Sequence, residues 1–204
     1  LIHPFISGNK FRKLKYNLLK ANEEQKAKLL TFGGAFSNHI AAVAYAGKVN
    51  NFETIGIIRG DELESQIYEN PTLQFAQECG MKFQFVSREE YKNKATDLFL
   101  EKLKKTYGDF YLIPEGGANS LAVKGCEEIV TEEDSQFSHI CCSIGTGGTI
   151  SGLINASHLH QKIIGFPSLK GDFLSEDIRK FAVKSNWELV TDYHFGGYGK
   201  VTEE

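Results

Sequence analysis

The chain of 204 residues is predicted to be an α/β protein with largely parallel sheets. Short β-branched apolar runs alternate with helical patterns along the chain, and most connections are brief, which is typical of parallel sheets covered by helices. In addition, glycine turns at Gly33, Gly116 and Gly145 each follow a predicted strand. Because open parallel sheets bind ligands at the carboxyl ends of their strands, these three turns are candidate binding loops.

The first half of the chain is predicted to contain four strands with helices between them. The leucines of 13–30 predict a helix after an opening loop. Ser37 is the expected N-cap of a short helix from His39 to Tyr45. The remaining elements of this half are strands at 30–32, 54–59, 82–86 and 110–113 and helices at 72–79 and 94–107.

The second half continues the same alternation of strand and helix patterns. Its predicted elements are helices at 123–130, 149–157 and 175–183 and strands at 139–144, 162–166 and 187–190. No internal repeat and no low-complexity segment interrupts the pattern.

The bulk composition excludes several classes of function. The net charge of -3 gives no electrostatic reason to expect nucleic acid as a partner. No apolar run reaches the roughly 18 residues of a membrane span. The cysteines form no CxxC pattern and no metal-ligand spacing with histidine, so reduced thiols in a cytoplasmic protein explain them better than disulfides or a metal site. The chain opens at Leu1 and stops at Glu204 soon after a glycine-rich turn, and we expect flanking sequence to be missing.

The segment Gly145-Thr146-Gly147-Gly148-Thr149 lies between a predicted strand and a predicted helix. Backbone amides exposed by its glycines, together with the positive end of the helix, can form a cradle for a phosphate group. Thr146 and Thr149 add hydroxyl donors. The segment matches neither the P-loop nor the dinucleotide-binding GxGxxG pattern. The alternative interpretation is a tight strand-to-helix turn without a ligand.

Lys10 stands in the segment Ser7-Gly8-Asn9-Lys10-Phe11-Arg12-Lys13, among small residues and other cations. A single lysine is usually a solvated surface charge. Burial and cationic neighbours such as Arg12 and Lys13 lower the pKa of a lysine below its ordinary value of about 10.4, and a deprotonated amine can form a Schiff base. If a helix begins here, Lys13 lies one turn beyond Lys10 and suits a second cation that reaches a phosphate.

The segment Gly33-Gly34-Ala35-Phe36-Ser37-Asn38-His39 offers small polar groups at the end of a strand. A helix cap would by itself explain Ser37. In the functional interpretation, the Ser37 hydroxyl, the Asn38 amide and the backbone N–H groups of the first helical turn bind a substrate carboxylate. The His39 side chain either belongs to the site or packs against the sheet.

Two further loops carry candidate residues. Glu115 follows the strand at 110–113 and is the one acid expected near a site, although such a residue is more often structural. Tyr198 lies between Gly197 and Gly199, and its phenol can act as an acid or a base. The alternative for Tyr198 is an aromatic side chain that packs over the sheet.

Taken together, these motifs resemble the pyridoxal-phosphate (PLP) enzymes of the tryptophan-synthase-β fold type, and more narrowly the 1-aminocyclopropane-1-carboxylate (ACC) deaminase and D-cysteine desulfhydrase family. The resemblance covers essentially the whole chain, and the ordered set is far more specific than any single motif. The matching segments are Gly8-Asn9-Lys10-Phe11-Arg12-Lys13-Leu14, Gly33 to Asn38, Ile113-Pro114-Glu115-Gly116-Gly117, Gly145 to Thr149, Phe166 to Phe173 and Gly197-Tyr198-Gly199.

The resemblance implies catalytic and substrate-binding roles for five residues. Lys10 would hold the PLP cofactor as a Schiff base and move a substrate proton. Asn38 would hydrogen-bond the 3′-oxygen of the cofactor. Ser37, with the backbone amides of Asn38 and His39, would bind the substrate carboxylate. Tyr198 matches an active-site tyrosine that acts as an acid or base or positions the substrate.

The resemblance also implies the remaining site and the architecture. Lys13 and the loop Gly145-Thr146-Gly147-Gly148-Thr149 would hold the cofactor phosphate. The family has two three-layer α/β domains with mostly parallel sheets and an active site in the cleft between them. Residues 1–12 with 113–204 would form the larger cofactor domain, and 13–112 the smaller domain. By analogy with the family we also expect a homodimer.

The chain departs from the family pattern in two places. His39 stands where the deaminases usually have glutamine, which favours the desulfhydrase branch. The family's C-terminal segment, with a second tyrosine and the residue that faces the pyridine nitrogen, is absent from this sequence.

The expected reaction is the release of ammonia and a 2-oxo acid from a small amino acid, ACC or D-cysteine. Three alternatives stay open at this point. The chain can be a PLP-dependent racemase or β-eliminase, a non-catalytic protein that binds a phosphorylated ligand, or a nucleotide-binding domain, although the acidic ribose contact of the last class is missing.

Overall fold

The computed structural model describes residues 3, 5–6, 8–168 and 173–193. The chain divides into two compact units, residues 1–117 and 118–204, and each is described by itself. The domain boundaries expected from the family resemblance, 1–12 with 113–204 and 13–112, stay a prediction.

The first unit is a parallel α/β fold. Its elements in chain order are α1 (Asn9–Glu23), β1 (Lys28–Gly34), α2 (Asn38–Asn50), β2 (Glu53–Arg59), α3 (Pro71–Glu78), β3 (Lys82–Val86), α4 (Arg88–Lys92), α5 (Asp97–Tyr107) and β4 (Tyr111–Ile113), with 3₁₀ segments at Asp61–Glu69 and Glu115–Gly117. The strands form one sheet in the order β3-β2-β1-β4, and every pairing is parallel.

Helices cover both faces of this sheet, so the first unit has three layers. Successive strand residues point to opposite faces. Accordingly, Leu29 packs with residues of α1, α2 and α3, whereas Leu30 packs with α4 and α5. Both leucines are fully buried. The predicted α/β fold with parallel strands is confirmed.

The predicted helix over 13–30 is wrong at both ends. The structure has α1 from Asn9 to Glu23, with Lys10 in its first turn. Gly8 precedes the helix with a φ of 59°, in the left-handed region that glycine enters at little cost. The chain then reverses at Gln25, which also has a positive φ. Leu29 and Leu30, which the sequence predicted as helical, belong to β1, where a strand covered on both faces buries consecutive apolar residues.

The second unit contains α6 (Ser120–Glu127), β5 (His139–Ile144), α7 (Gly148–Ala156), β6 (Lys162–Pro167), α8 (Phe173–Arg179) and β7 (Trp187–Leu189), with a 3₁₀ segment at Glu132–Gln136. Its strands pair in parallel in the order β5-β6-β7. Ile150, Ile154 and Ile163 centre an apolar core between α7, α8 and the sheet. No helix in the described part of the chain is long and apolar enough to cross a bilayer.

Close packing of α7 against α6 depends on Gly152. A Cβ atom at this position would lie 2.5 Å from Cys126 Cβ and 2.8 Å from the Val123 carbonyl oxygen. We therefore expect Gly152→Ala to destabilise the protein by roughly 1–3 kcal/mol, as overpacking does in other cores. Urea unfolding monitored by circular dichroism measures the change. A stabilised variant, as helix propensity alone would give, would contradict this account of the interface.

Candidate functional site

The candidate site of the first unit lies at the carboxyl end of β1 and β4. These strands are neighbours in the parallel sheet. The segment after β1, Gly33 to Asn38, and the segment after β4, Pro114 to Gly117, therefore emerge at the same edge. This is where a parallel α/β sheet binds its ligands.

Lys10 lies in the first turn of α1, at the start of the element that also carries Lys13. It is partly buried. The Lys10 ammonium is close enough to His39 to lower the pKa of that imidazole. The two residues belong to different helices, Lys10 to α1 and His39 to α2. Lys10 lies about one helical turn before Lys13, whose Nζ reaches Gly116 after β4, so α1 carries Lys10 to the same edge as the Ser37–Asn38 turn.

Lys13 is almost fully buried, with 3% of its surface exposed. Its Nζ donates to the carbonyl oxygen of Gly116 at 3.0 Å. The backbone of Lys13 is held as well, since Asn17 Nδ2 donates to its carbonyl oxygen and Tyr111 OH donates to Asn17 Oδ1. The cation is thus fixed against the 3₁₀ segment that follows β4. Its predicted role toward a phosphate stays a prediction.

Ser37 is the N-cap of α2, as the sequence predicts. Its Oγ accepts from the backbone N–H groups of His39 and Ile40 at 3.2 and 3.4 Å. Gly33 makes this cap possible, because a Cβ there would lie 2.5 Å from Ile40 Cγ1 and 3.1 Å from Ser37 Cβ. The cap places Ser37 and Asn38 at the sheet edge. It also means that the His39 amide, predicted to bind a carboxylate, is shared with the Ser37 hydroxyl.

The His39 side chain packs inside the first unit with 2% of its surface exposed. Of the two interpretations that the sequence allows, the structure supports packing against the sheet. His39 Nε2 lies 2.9 Å from Thr31 Oγ1, on the central strand β1. Burial lowers the pKa of His39 from its ordinary value of 6.5 to about 3, and the positive charges of Lys10 and Lys13 act in the same direction. His39 is therefore neutral at physiological pH.

Glu115 belongs to a charged cluster at the same end of the sheet. Its carboxylate lies 3.3 Å from Lys94 Nζ, and both Lys94 and Arg59 lie over the Tyr91 ring. Burial raises the pKa of Tyr91 above its ordinary value, and the carboxylate of Glu115 raises it further. These contacts fix Glu115, the first residue of the 3₁₀ segment that receives the Lys13 ammonium, which fits the structural role weighed for it.

In the second unit, the segment Gly145 to Thr149 joins β5 to α7. The helix begins at Gly148, and its N-cap Gly147 has a φ of 79° and forms no side-chain cap. A Cβ at Gly145 would meet no atom of the described residues within 4 Å. Backbone N–H groups at an N-terminus without a side-chain cap are suited to an anion. The prediction of a glycine turn between a strand and a helix is confirmed.

Part of the predicted site lies outside the residues that the structure describes. Tyr198 and Ser7 lie outside the described residues. Sequence reasoning also missed side chains that support the site, namely Thr31, Asn17, Tyr91 and Arg59. The one available signal was a polar residue, Thr31, inside the apolar run of a buried strand.

A comparison with known protein families establishes the family of this chain. A family model described as pyridoxal-phosphate dependent enzyme matches residues 2–187. The chain belongs to the pyridoxal-phosphate-dependent enzymes. The fold and the ordered motifs agree with this membership, and the family resemblance inferred from the sequence is confirmed.

Two relatives and one solved structure narrow the comparison. A putative ACC deaminase of Thermotoga maritima is 30% identical over 97% of this chain and 69% of its own length. A bifunctional D-cysteine desulfhydrase/ACC deaminase, mitochondrial, of Arabidopsis thaliana is 33% identical over 76% of this chain and 42% of its own length. The crystal structure of an ACC deaminase homologue superposes with a TM-score of 0.80 at 26% identity, over 96% of this chain and 65% of the other. The chain therefore spans between two fifths and about two thirds of these proteins.

The donor groups present fit the cofactor of this family. PLP needs an amine for covalent attachment and cationic or backbone N–H donors for its phosphate. The chain offers the amines of Lys10 and Lys13 beside a helix N-terminus in the first unit. The second unit offers a glycine loop with no acidic side chain within Gly145 to Thr149. Within the first unit Lys10, Lys13 and Asn38 are the groups that would hold it, and the loop of the second unit is by itself suited to an anion.

Proposed function

We propose that the protein is a PLP-dependent lyase or deaminase that acts on a small amino acid, with D-cysteine preferred over ACC. D-Cysteine and water would give pyruvate, ammonia and hydrogen sulfide, and ACC and water would give 2-oxobutyrate and ammonia. The observation that supports this most is the arrangement of Lys10, Lys13 and the Ser37–Asn38 turn at one sheet edge in a chain of this family.

Each candidate site residue of the first unit has a defined role in this proposal. The Lys10 amine attaches the cofactor and then carries a proton to or from the substrate carbon. The backbone N–H groups of the first turn of α2, capped by Ser37, orient the substrate carboxylate. Asn38 hydrogen-bonds the 3′-oxygen of the cofactor, and PLP, when bound, supplies an electron sink for the carbanion.

The phosphate of the cofactor is assigned to Lys13 and to the loop Gly145 to Thr149. The Lys13 ammonium supplies charge and the loop supplies backbone donors, so the two contributions differ in kind. Tyr198 is proposed as the further acid or base of the site, on the match of Gly197-Tyr198-Gly199 to the family motif. The proposal also includes a homodimer, by analogy with the family. It includes a cytoplasmic location, because the described cysteines are free thiols.

The preference for D-cysteine rests on the family resemblance, in which His39 stands where the deaminases usually have glutamine, and not on a contact of the buried His39 side chain with substrate. The name of the Arabidopsis relative covers both activities, so both substrates need testing. We expect the purified full-length protein to show a cofactor absorbance band that changes with D-cysteine, and to release pyruvate and sulfide at least about tenfold faster than it converts ACC.

The outcomes separate the alternatives. A band that responds to neither substrate, without product, would overturn the deaminase/desulfhydrase assignment, and assays with serine enantiomers would then test the racemase and β-eliminase alternatives. A protein that binds no PLP even after incubation with it would favour the non-catalytic phosphate-binding alternative. Turnover of ACC above D-cysteine would overturn the substrate preference alone.

A further inference from the structure

A buried chain of hydrogen bonds links three elements behind the candidate site. His39 Nε2 lies 2.9 Å from Thr31 Oγ1, and Thr31 Oγ1 donates to the carbonyl oxygen of Ile113 at 2.8 Å. These atoms belong to α2, β1 and β4. Thr31 and Ile113 are fully buried, and His39 is 2% exposed. Water therefore cannot replace either hydrogen bond without rearrangement of the fold.

The direction of these bonds determines the tautomer of His39. A carbonyl oxygen only accepts, so the single hydroxyl proton of Thr31 points to Ile113. The hydroxyl oxygen must then accept from His39, which requires the proton on Nε2. In this tautomer His39 Nδ1 carries the lone pair, and it is buried with no hydrogen-bond partner in the part of the chain that the structure describes. The backbone carbonyl of Pro114 favours a protonated ring, but burial has the larger effect and keeps His39 neutral.

The ring of His39 also contacts the segment that holds Lys13. A Cβ at Gly117 would lie 3.4 Å from His39 Cε1 and 3.6 Å from Lys13 Cβ. The neighbouring Gly116 carbonyl accepts from Lys13 Nζ. The Cε1 edge of the imidazole therefore lies beside the 3₁₀ segment after β4, while its Nε2 is hydrogen-bonded to β1.

We propose that Thr31 and His39 form a positioning pair, in which the neutral Nε2–H tautomer of His39 holds the Ser37–Asn38 turn in place relative to β4 and Lys13. The pair touches neither substrate nor cofactor in this role. It acts through the backbone of α2, whose first-turn N–H groups orient the substrate carboxylate under the proposed function, on which this inference rests.

A protonated His39 would be less suited to this positioning role than the neutral imidazole. A proton on Nδ1 would create a buried cation beside the ammonium groups of Lys10 and Lys13, which already oppose protonation of His39. The neutral ring provides a donor for Thr31 and lies beside Gly117 without adding a third positive charge near Lys10 and Lys13.

The test compares Thr31→Val with Thr31→Ser in the full-length protein with PLP. Valine keeps the shape of threonine but removes the hydroxyl, so His39 Nε2–H loses its acceptor and the Ile113 carbonyl loses the Thr31 donor. Serine keeps the hydroxyl and loses one methyl group. We expect Thr31→Val to raise KM for D-cysteine about tenfold, with a smaller fall in kcat, and Thr31→Ser to restore KM to within about threefold of the wild-type value.

A second readout needs neither substrate nor cofactor. In long-range ¹H–¹⁵N spectra of the wild-type apoprotein, we expect His39 to carry its proton on Nε2 and to keep it there between pH 5 and 8. An Nδ1–H tautomer, or an unchanged KM in a folded Thr31→Val protein, would overturn the positioning pair. If the wild-type protein converts neither D-cysteine nor ACC, the proposed function fails, whereas the tautomer is still decided by the spectrum.

Discussion

Lys10→Ala is expected to abolish covalent attachment of PLP and to reduce turnover by at least about 10²- to 10⁴-fold, the range for loss of a proton-transfer group. The substitution removes the amine in the first turn of α1 without disturbing the buried positions of that helix. The groups proposed to bind the phosphate remain, so we expect PLP still to bind, but without the lysine-linked absorbance band. Absorbance spectra and single-turnover rates measure both effects.

Lys15→Ala provides the matched control on the same helix. Lys15 is exposed, and its ammonium lies over the ring of Tyr16, 5.0 Å from the ring centroid. The same change of charge and helix composition is therefore made away from the candidate site. We expect this variant to keep the band and the rate within about twofold, since exposed substitutions usually have small effects. A Lys10→Ala protein with the full band and rate would refute the assignment of Lys10.

His39 is expected to make the folded protein less stable as the pH falls below its ordinary pKa of 6.5. The pKa of His39 in the folded state is about 3, lowered by burial and by Lys10 and Lys13. Between these two values the unfolded chain binds a proton that the folded chain does not. The free energy of unfolding therefore falls as the pH is lowered through this window, by at most about 1.4 kcal/mol per pH unit from this one group.

His39→Gln isolates this contribution, because glutamine does not titrate and can still donate to Thr31. Carboxylates such as Glu53 and Glu62, whose pKa values are lowered by Lys82 and Arg88, titrate in both proteins and cancel in the difference. Urea unfolding of the two proteins at pH 7.5, 6, 5 and 4 gives the comparison. Parallel curves over this range would show that His39 is not held neutral by the fold.

The regular elements were largely predictable because each has a local signal. The strands at 82–86 and 139–144 have the predicted bounds, and most predicted helices differ from the observed ones by only a few residues, whereas the short helix α4 (Arg88–Lys92) was not predicted. The 3₁₀ segment Asp61–Glu69 has no fully buried residue, and only Leu63 and Ile67 pack against the core, so its apolar signal is weak. The start of α1 was missed because a glycine before a helix and a glycine within a loop look the same in a sequence.

The candidate site was predictable in its residue types but not in its contacts. Ser37 caps α2 and follows the end of β1. Both features are local, so the neighbouring residues predict them. The Lys13–Gly116 hydrogen bond instead joins positions 103 residues apart. Likewise, the packing of His39 against the sheet depends on Thr31, which itself pairs with Ile113 of another strand. Such pairings depend on the register of parallel strands, which periodicity does not determine.

Reduction with borohydride tests the central claim, that Lys10 is the covalent attachment point for PLP, most directly. The full-length protein with PLP is reduced, digested and mapped by mass spectrometry. The account predicts a pyridoxyl-phosphate mass increase on the peptide that contains Lys10, and none on peptides that carry only other lysines. Modification of a different lysine, or none in a protein that binds PLP, would contradict it.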